Sequence, residues 1–297
     1  MNERNMTTVI QFRKSIALTL IGFLLPCLAQ TARSNEATDG VDVTLPDVTQ
    51  RYDFNGDGHP DYVLSDAQTA IWYLNNNVFL SGALVNRDIP CCGWSLVDAA
   101  DFNGDGHPDY ALFNRFERVT AIWYLNNNLF IRGAYGPTLP VGWALVAVGD
   151  FNLDGHPDYV LFNSNLNSLQ TAIWYLNNNV LVSGGYGPTL PSGWQIAGTG
   201  DFNSDGHADY LLFNRSTLQT AIWYMSGRTR IGAVYGPTIA SGYQLRGAAD
   251  YNGDGHPDYV LFNPNTLQTQ IWYLNNNVFM SAASGPTLPP EWRLVLP

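Results

Sequence analysis

The sequence predicts an all-β fold, a five-bladed β-propeller, on three observations. A decapeptide of the type DFNGDGHPDY begins at Asp53, Asp101, Asp150, Asp201 and Asp250, at spacings of 48, 49, 51 and 49 residues, a period that marks repeated supersecondary units. Each copy leads into the same succession of four short apolar runs separated by Asn, Gly and Pro, which read as four strands and their turns. The chain ends in EWRLVLP from Glu291, a copy of the run that elsewhere precedes the acidic motif, with no further motif after it.

In chain order, Arg4, Arg13 and Lys14 precede the apolar run SIALTLIGFLLPCLA, and the small pair Cys27 and Ala29 offers cleavage before Gln30. Residues 1–29 therefore read as a secretory signal peptide, too short in its apolar part for a comfortable membrane span; a retained N-terminal anchor helix is the alternative. Residues 30–46 form a flexible segment, and 47–297 the repeats. After each motif, PDYVLFN supplies one strand and TAIWYLNNN the next, from Thr69, Thr120 and Thr171, with variants from Thr220 and Thr269. TAIWYL is apolar on both alternating faces, as in sheets stacked face to face. A run such as VFLSG, a YGPTLP connector and GW with an apolar stretch complete the unit. That last stretch ends in small residues, Ala99 and Ala100 or Thr199 and Gly200, which suit the crowded innermost strand of a radial array.

A linear stack of hairpins would share this pattern, but closure removes its exposed edge. Either EWRLVLP or Val48–Tyr52 could supply the innermost strand of the first blade, and the sequence leaves that choice open. The NNN segments at Asn75, Asn126, Asn177 and Asn275 read as hairpin turns tolerant of left-handed geometry. Arg228 and Arg230 break the symmetry in the fourth repeat.

The motif spells D-x-N-x-D-G-x-x-D. Oxygen side chains at positions 1, 3, 5 and 9, a carbonyl at 7 and glycine at 6 are what a calcium loop uses. The predicted ligand sets are Asp53, Asn55, Asp57, His59 and Asp61; Asp101, Asn103, Asp105, His107 and Asp109; Asp150, Asn152, Asp154, His156 and Asp158; Asp201, Asn203, Asp205, His207 and Asp209; Asp250, Asn252, Asp254, His256 and Asp258. Each histidine would lend its carbonyl while its ring faces solvent. Three like charges on one turn repel, so up to five structural Ca²⁺ are expected. An ordinary polar turn is the bland alternative. No Glu stands at position 12, and the flanks are strands, so these are not EF-hands.

Charge points the same way. After residue 29 the chain holds eleven Arg, no Lys and 24 acids, a net −13, with 15 of the acids in the five motifs. Nucleic acid is excluded as a natural partner. The adjacent Cys91 and Cys92 lack a CxxC spacing and read as free thiols or a vicinal disulfide.

DFNGDGHPD followed by an apolar strand resembles the FG-GAP, or VCBS-type, repeat of integrin α-chain propellers and many secreted bacterial proteins, over residues 47–297. The resemblance implies a propeller with Ca²⁺ in loops between the first and second strands of each blade, and a role in adhesion or ligand binding. Leu153 and Ser204 replace the motif's first glycine, and Ala208 its proline. Integrin propellers have more blades, so no partner surface is carried over.

Enzymatic chemistry finds little to work with. All five histidines sit in the loops, leaving none for a Ser-His-Asp triad, and no lysine remains for a Schiff base. The aromatics point to binding. Trp72, Trp123, Trp174, Trp223 and Trp272 read as core between blades. Trp94, Trp143, Trp194, Tyr243 and Trp292 follow a loop and could stack on sugar faces. The expectation is a secreted or periplasmic, monomeric, non-enzymatic module for carbohydrate or cell-surface ligands. A protein-interaction or adhesion scaffold, and a polysaccharide lyase, are the alternatives.

Overall fold

The computed structural model describes residues 51–66, 68–163 and 168–296; the predicted signal peptide, residues 1–29, and the predicted segment 30–46 lie outside them. Contacts group Thr44–Pro297 as one compact unit. Among the described residues there is no helix, and no helix long and apolar enough to cross a membrane.

Five four-stranded antiparallel sheets form the blades of a β-propeller. The first contains β1 (Tyr62–Ser65), β2 (Thr69–Asn75) and β3 (Val78–Leu84); the second β4 (Trp94–Ala100), β5 (Asp109–Asn114), β6 (Val119–Asn126) and β7 (Leu129–Thr138). The third contains β8 (Trp143–Gly149), β9 (Asp158–Asn163), β10 (Gln170–Asn177) and β11 (Val180–Thr189). The fourth has β12 (Trp194–Gly200), β13 (Asp209–Asn214), β14 (Gln219–Trp223) and β17 (Val234–Thr238), with a small hairpin of β15 (Met225–Ser226) and β16 (Thr229–Arg230). The fifth has β18 (Gln244–Ala249), β19 (Asp258–Asn263), β20 (Gln268–Asn275) and β21 (Val278–Thr287). The chain returns as β22 (Arg293–Leu296), which pairs with β1 as the innermost strand of the first blade. The C-terminal copy thus wins the place that the sequence left open, and no open edge remains at the join.

Three layers of contact join neighbouring blades, and each is written into the repeat. The aromatic at motif position 2 is fully buried and meets the second-strand tyrosine of the following blade edge to face: Phe54 with Tyr110, Phe102 with Tyr159, Phe151 with Tyr210 and Phe202 with Tyr259, at 5.6–6.3 Å. Tyr251 against Tyr62, at 6.0 Å, closes the circle. Such pairs add about 0.5–1.5 kcal/mol each beyond their burial.

The second layer explains the GPT connector. Thr120, Thr171, Thr220 and Thr269 are buried, and their hydroxyls donate to the carbonyls of Pro137, Pro188, Pro237 and Pro286 at 2.7–2.8 Å. A Cβ on Gly136 would come within 2.4 Å of Thr120 Oγ1 and 3.1 Å of the Tyr159 hydroxyl from the next blade, so only glycine fits between them. The first blade has Val85 and no GPT, and Thr69 Oγ1 is left buried without a partner.

The NNN turns form the third layer and do more than turn the chain. Their middle residue adopts a left-handed φ of 55–58°, and its side-chain oxygen accepts a hydrogen bond from the preceding blade's tyrosine: Tyr73 to Asn127, Tyr124 to Asn178, Tyr224 to Asn276 and, closing the ring, Tyr273 to Asn76. The third Asn donates its amide to a carbonyl of the preceding blade, as Asn128 does to Leu84, Asn179 to Tyr135, Asn277 to Tyr235 and Asn77 to Ser284, each at 2.9 Å. In the fourth blade Gly227 and Arg228 take these places. The Arg228 guanidinium lies where a Cβ on Gly185 would be, 1.9 Å from it, and Gly185 stands where other blades have Ala or Val.

The axis is plugged. Arg51 donates to Asp98 Oδ2 at 2.6 Å, to the Val148 carbonyl at 2.9 Å and to the Thr199 carbonyl and hydroxyl at 2.9 and 2.6 Å, tying together the second, third and fourth blades. Tyr52 donates its hydroxyl to Asp98 Oδ1 at 2.6 Å. What remains of the axis beside this plug is a small cleft lined by Arg51, Thr199, Gly200, Asp250 and Pro257.

Candidate metal centres and ligand face

Four acidic loops join an innermost strand to the second strand of their blade, and the first leads from Arg51 and Tyr52 into β1, so all five stand at one end of the propeller. Gly58 and its equivalents have φ of 81–88°, and a Cβ on Gly58, Gly106, Gly155 or Gly255 would meet nothing, so conformation and not space selects glycine. Leu153 and Ser204 adopt φ of 61° and 60°, the left-handed conformation held by Gly56, Gly104 and Gly253 in the other loops. The substitutions therefore preserve the loop's shape at some backbone strain.

The side chains at positions 1, 3 and 5 fold the loop around themselves. Asp53 accepts the amides of Gly56, Asp57 and Gly58 at 2.8–3.1 Å, Asn55 Oδ1 accepts that of Asp57, and Asp57 Oδ1 accepts that of His59. The last acid is different. Asp61 is fully buried, and its two oxygens accept the amides of Phe54 at 3.0 Å and of Leu74, on the third strand, at 3.1 Å. The same clamp recurs at Asp109, Asp158, Asp209 and Asp258. Position 9 thus anchors the loop to the sheet.

Burial pushes the Asp61 carboxyl up to about 8, and those of Asp109, Asp158, Asp209 and Asp258 to about 7; the amide bonds oppose this, and the two acids at positions 1 and 5 of each loop add to it. That mutual repulsion places the three carboxylates of a loop in one electrostatic neighbourhood. Among the described residues no three His, Cys, Asp or Glu side chains are gathered closely enough to hold an ion as they stand. The donor set is nevertheless all oxygen, each carboxylate retains lone pairs beyond its amide bonds, and the set fits a hard cation such as Ca²⁺. The imidazoles depart from expectation. They are half-buried, and Nδ1 of His107, His207 and His256 is buried without a hydrogen-bond partner.

The tryptophans divide as expected in part. Trp123 and Trp223 are buried, whereas Trp72, Trp174 and Trp272 are half-buried on the blade flanks, Trp72 and Trp272 beside Phe79 and Phe279. Trp94, Trp143, Trp194, Tyr243 and Trp292 are all half-buried and stand at the end of the blades opposite the acidic loops. Three have a companion that the sequence did not single out. Tyr135, Tyr186 and Tyr235, at 69%, 72% and 71% exposure, meet Trp94, Trp143 and Trp194 at 6.0–6.3 Å between ring centroids, and Trp143 and Tyr186 stack at 25°. The signal was present in YGPT, since blades one and five put Leu84 and Ser284 at the tyrosine's position. Cys91 and Cys92 lie exposed as free thiols at this same end, 3.3 Å apart at sulfur.

Solved structures that resemble the chain include a protein of unknown function from Bacteroides caccae, at 12% identity over 75% of this chain and 73% of that one, with a TM-score of 0.40. Others are the Photorhabdus luminescens Tc holotoxin pore, at 16% identity over 82% of this chain and 12% of that one with a TM-score of 0.40, and Chaetomium thermophilum Raptor, at 10% over 75% and 21% with 0.41. The chain spans only a small part of the last two. No curated protein matches it. The family model of the FG-GAP-like repeat matches residues 53–112, 101–161 and 201–261. With five such repeats closed into one ring of blades, the chain belongs to the FG-GAP-like repeat family.

Proposed function

We propose that this protein is a secreted, calcium-stabilised propeller that acts as a non-enzymatic, monomeric binding module for carbohydrate displayed on a surface. The observation that carries the reading is the threefold Trp–Tyr pairing, in which an exposed phenol ring stands beside a half-buried indole on three successive blades. Flat aromatic surface with little conformational freedom to lose suits a sugar face. Repetition around a rigid ring converts weak single contacts into avidity toward a repetitive glycan.

In this reading Asp53, Asn55, Asp57, Asp61 and the His59 carbonyl, with their four equivalent sets, hold Ca²⁺, which supplies positive charge where three carboxylates meet. Extracellular sites with dissociation constants on the order of 10⁻⁴ M would gain about 1.4 kcal/mol each at millimolar calcium. Secretion is supported by the N-terminal apolar run and by the family, whose repeats are typical of extracellular proteins.

The test is a glycan and polysaccharide array probed with calcium and again with chelator, using the protein and a Tyr135→Ala/Tyr186→Ala/Tyr235→Ala variant. Calcium-dependent binding to a sugar class, lost in the triple variant, is expected. An empty array from protein with an intact unfolding transition would sink the carbohydrate reading and leave a protein-binding scaffold.

A further inference from the structure

The end of the propeller that bears the Trp–Tyr pairs also carries a cationic sector that the repeat does not account for. Arg246 occupies the bulge of β18, between Leu245 and Gly247, where the other innermost strands have Val97, Val146, Ala197 and Val295. Its guanidinium lies 5.4 Å from the ring of buried Phe262, and its Nε is buried without a hydrogen-bond partner. Arg215 stands in the turn after β13 and Arg293 at the start of β22, so the neighbouring blades four, five and one each carry an arginine toward this end. Burial, and after it the charges of Arg215 and Arg293, hold the Arg246 charge less favourable than usual.

Most of the other described arginines are occupied, Arg118 by the Leu139 carbonyl, while Arg228 packs over Gly185 without a hydrogen bond. Arg51 pairs with Asp98, the one ion pair among the described residues, while Arg87, Arg115, Arg132 and Arg230 lie over aromatic rings. Arg215 and Arg293 have no hydrogen bond, ion pair or ring contact among the described residues, and both are exposed. The neighbouring row follows the same bias: blades four, five and one place Gln195, Gln244 and Arg293 where blades two and three place Ser95 and Ala144. On a chain this acidic, three converging cations without a carboxylate are a site without its counter-charge.

We propose that Arg215, Arg246 and Arg293 form an oxyanion subsite at the axial mouth, which takes a carboxylate, sulfate or phosphate group. The group can be free in solution or carried by an acidic saccharide laid along the aromatic arc of blades two to four. Guanidinium forks suit planar or tetrahedral oxyanions, and the half-buried Arg246 side chain has a buried Nε donor that nothing satisfies.

Calorimetric titrations at low salt with inorganic sulfate, inorganic phosphate and a hexuronate oligosaccharide test this, on the protein and on Arg215→Gln and Arg293→Gln, both exposed positions that leave the fold intact. Binding of any of the three that weakens about tenfold or more in each variant, and fades with added sodium chloride, is expected. Tight oligosaccharide with weak inorganic ions assigns the anion to a glycan; inorganic ions alone assign it to a free oxyanion. No heat with all three probes, or affinities unchanged in both variants, overturns the subsite. The proposal stands apart from the neutral-sugar reading, because Tyr186→Ala should leave inorganic sulfate binding unaltered.

Discussion

Substituting Asp98 with alanine should be among the most damaging single changes in this chain. Its carboxylate is 5% exposed and accepts four hydrogen bonds, from Arg51 and Tyr52 at 2.6 Å, the Val148 amide at 2.8 Å and the Ala99 amide at 2.9 Å. Removing it leaves the Arg51 charge, itself 13% exposed, with only carbonyls and a hydroxyl, and strands the buried Tyr52 hydroxyl and Val148 amide. Breaking one side of a buried pair costs about 3–5 kcal/mol, or about 6–20 °C in Tm for a domain of this size. Arg51→Met should cost less, about 1–3 kcal/mol, because the carboxylate keeps three of its four donors. The double variant should recover part of the sum, with a coupling of at least about 1.5 kcal/mol. Urea unfolding at fixed calcium, with slopes checked for constancy, measures all three. Equal and additive losses from the two single variants would refute the asymmetric plug.

Tyr273→Phe removes the ring-closing bond to Asn76 and should cost about 0.5–1.5 kcal/mol, much as Tyr73→Phe does at an internal junction, measured by the same unfolding assay. Truncation after Glu291 deletes β22 and bares β1, so size-exclusion chromatography should find self-association instead of a monomer. Gly136→Ala forces a methyl group against Thr120 and Tyr159 and should cost about 1–3 kcal/mol, part of it returned in the Gly136→Ala/Thr120→Ala double variant. The five position-9 acids titrate at about 7–8 in the fold and near 3.9 unfolded. The folded state therefore binds more protons, and chelated protein should lose stability as pH rises from about 4 through 8. Calcium requires the ionised form, so thermal scans should find its stabilisation greater at pH 8 than at pH 5.5, with protons released on binding.

What the sequence by itself determined is whatever recurs. The period near fifty, the acidic motif and the doubly apolar TAIWYL strand are local and repeated, so blade number, strand order within a blade and the position of the acidic loops could be counted from the chain. The Trp94 set and its placement after a connector were legible for the same reason. Contacts between blades were not, because a partner one period away is invisible until the ring closes. Thus the NNN turns looked like turns and proved to be clasps, and GPT looked like a connector and proved to be the gap into which Tyr159 or Tyr210 fits. Features that occur once were hidden most deeply. Arg51 reaches partners 47 to 148 residues away, and Arg215, Arg246 and Arg293 become neighbours in the ring only because β22 closes blade one beside blade five. Tertiary structure decided these because closure brings one residue from each of several blades to the same point, and no periodic pattern encodes which of them carries charge.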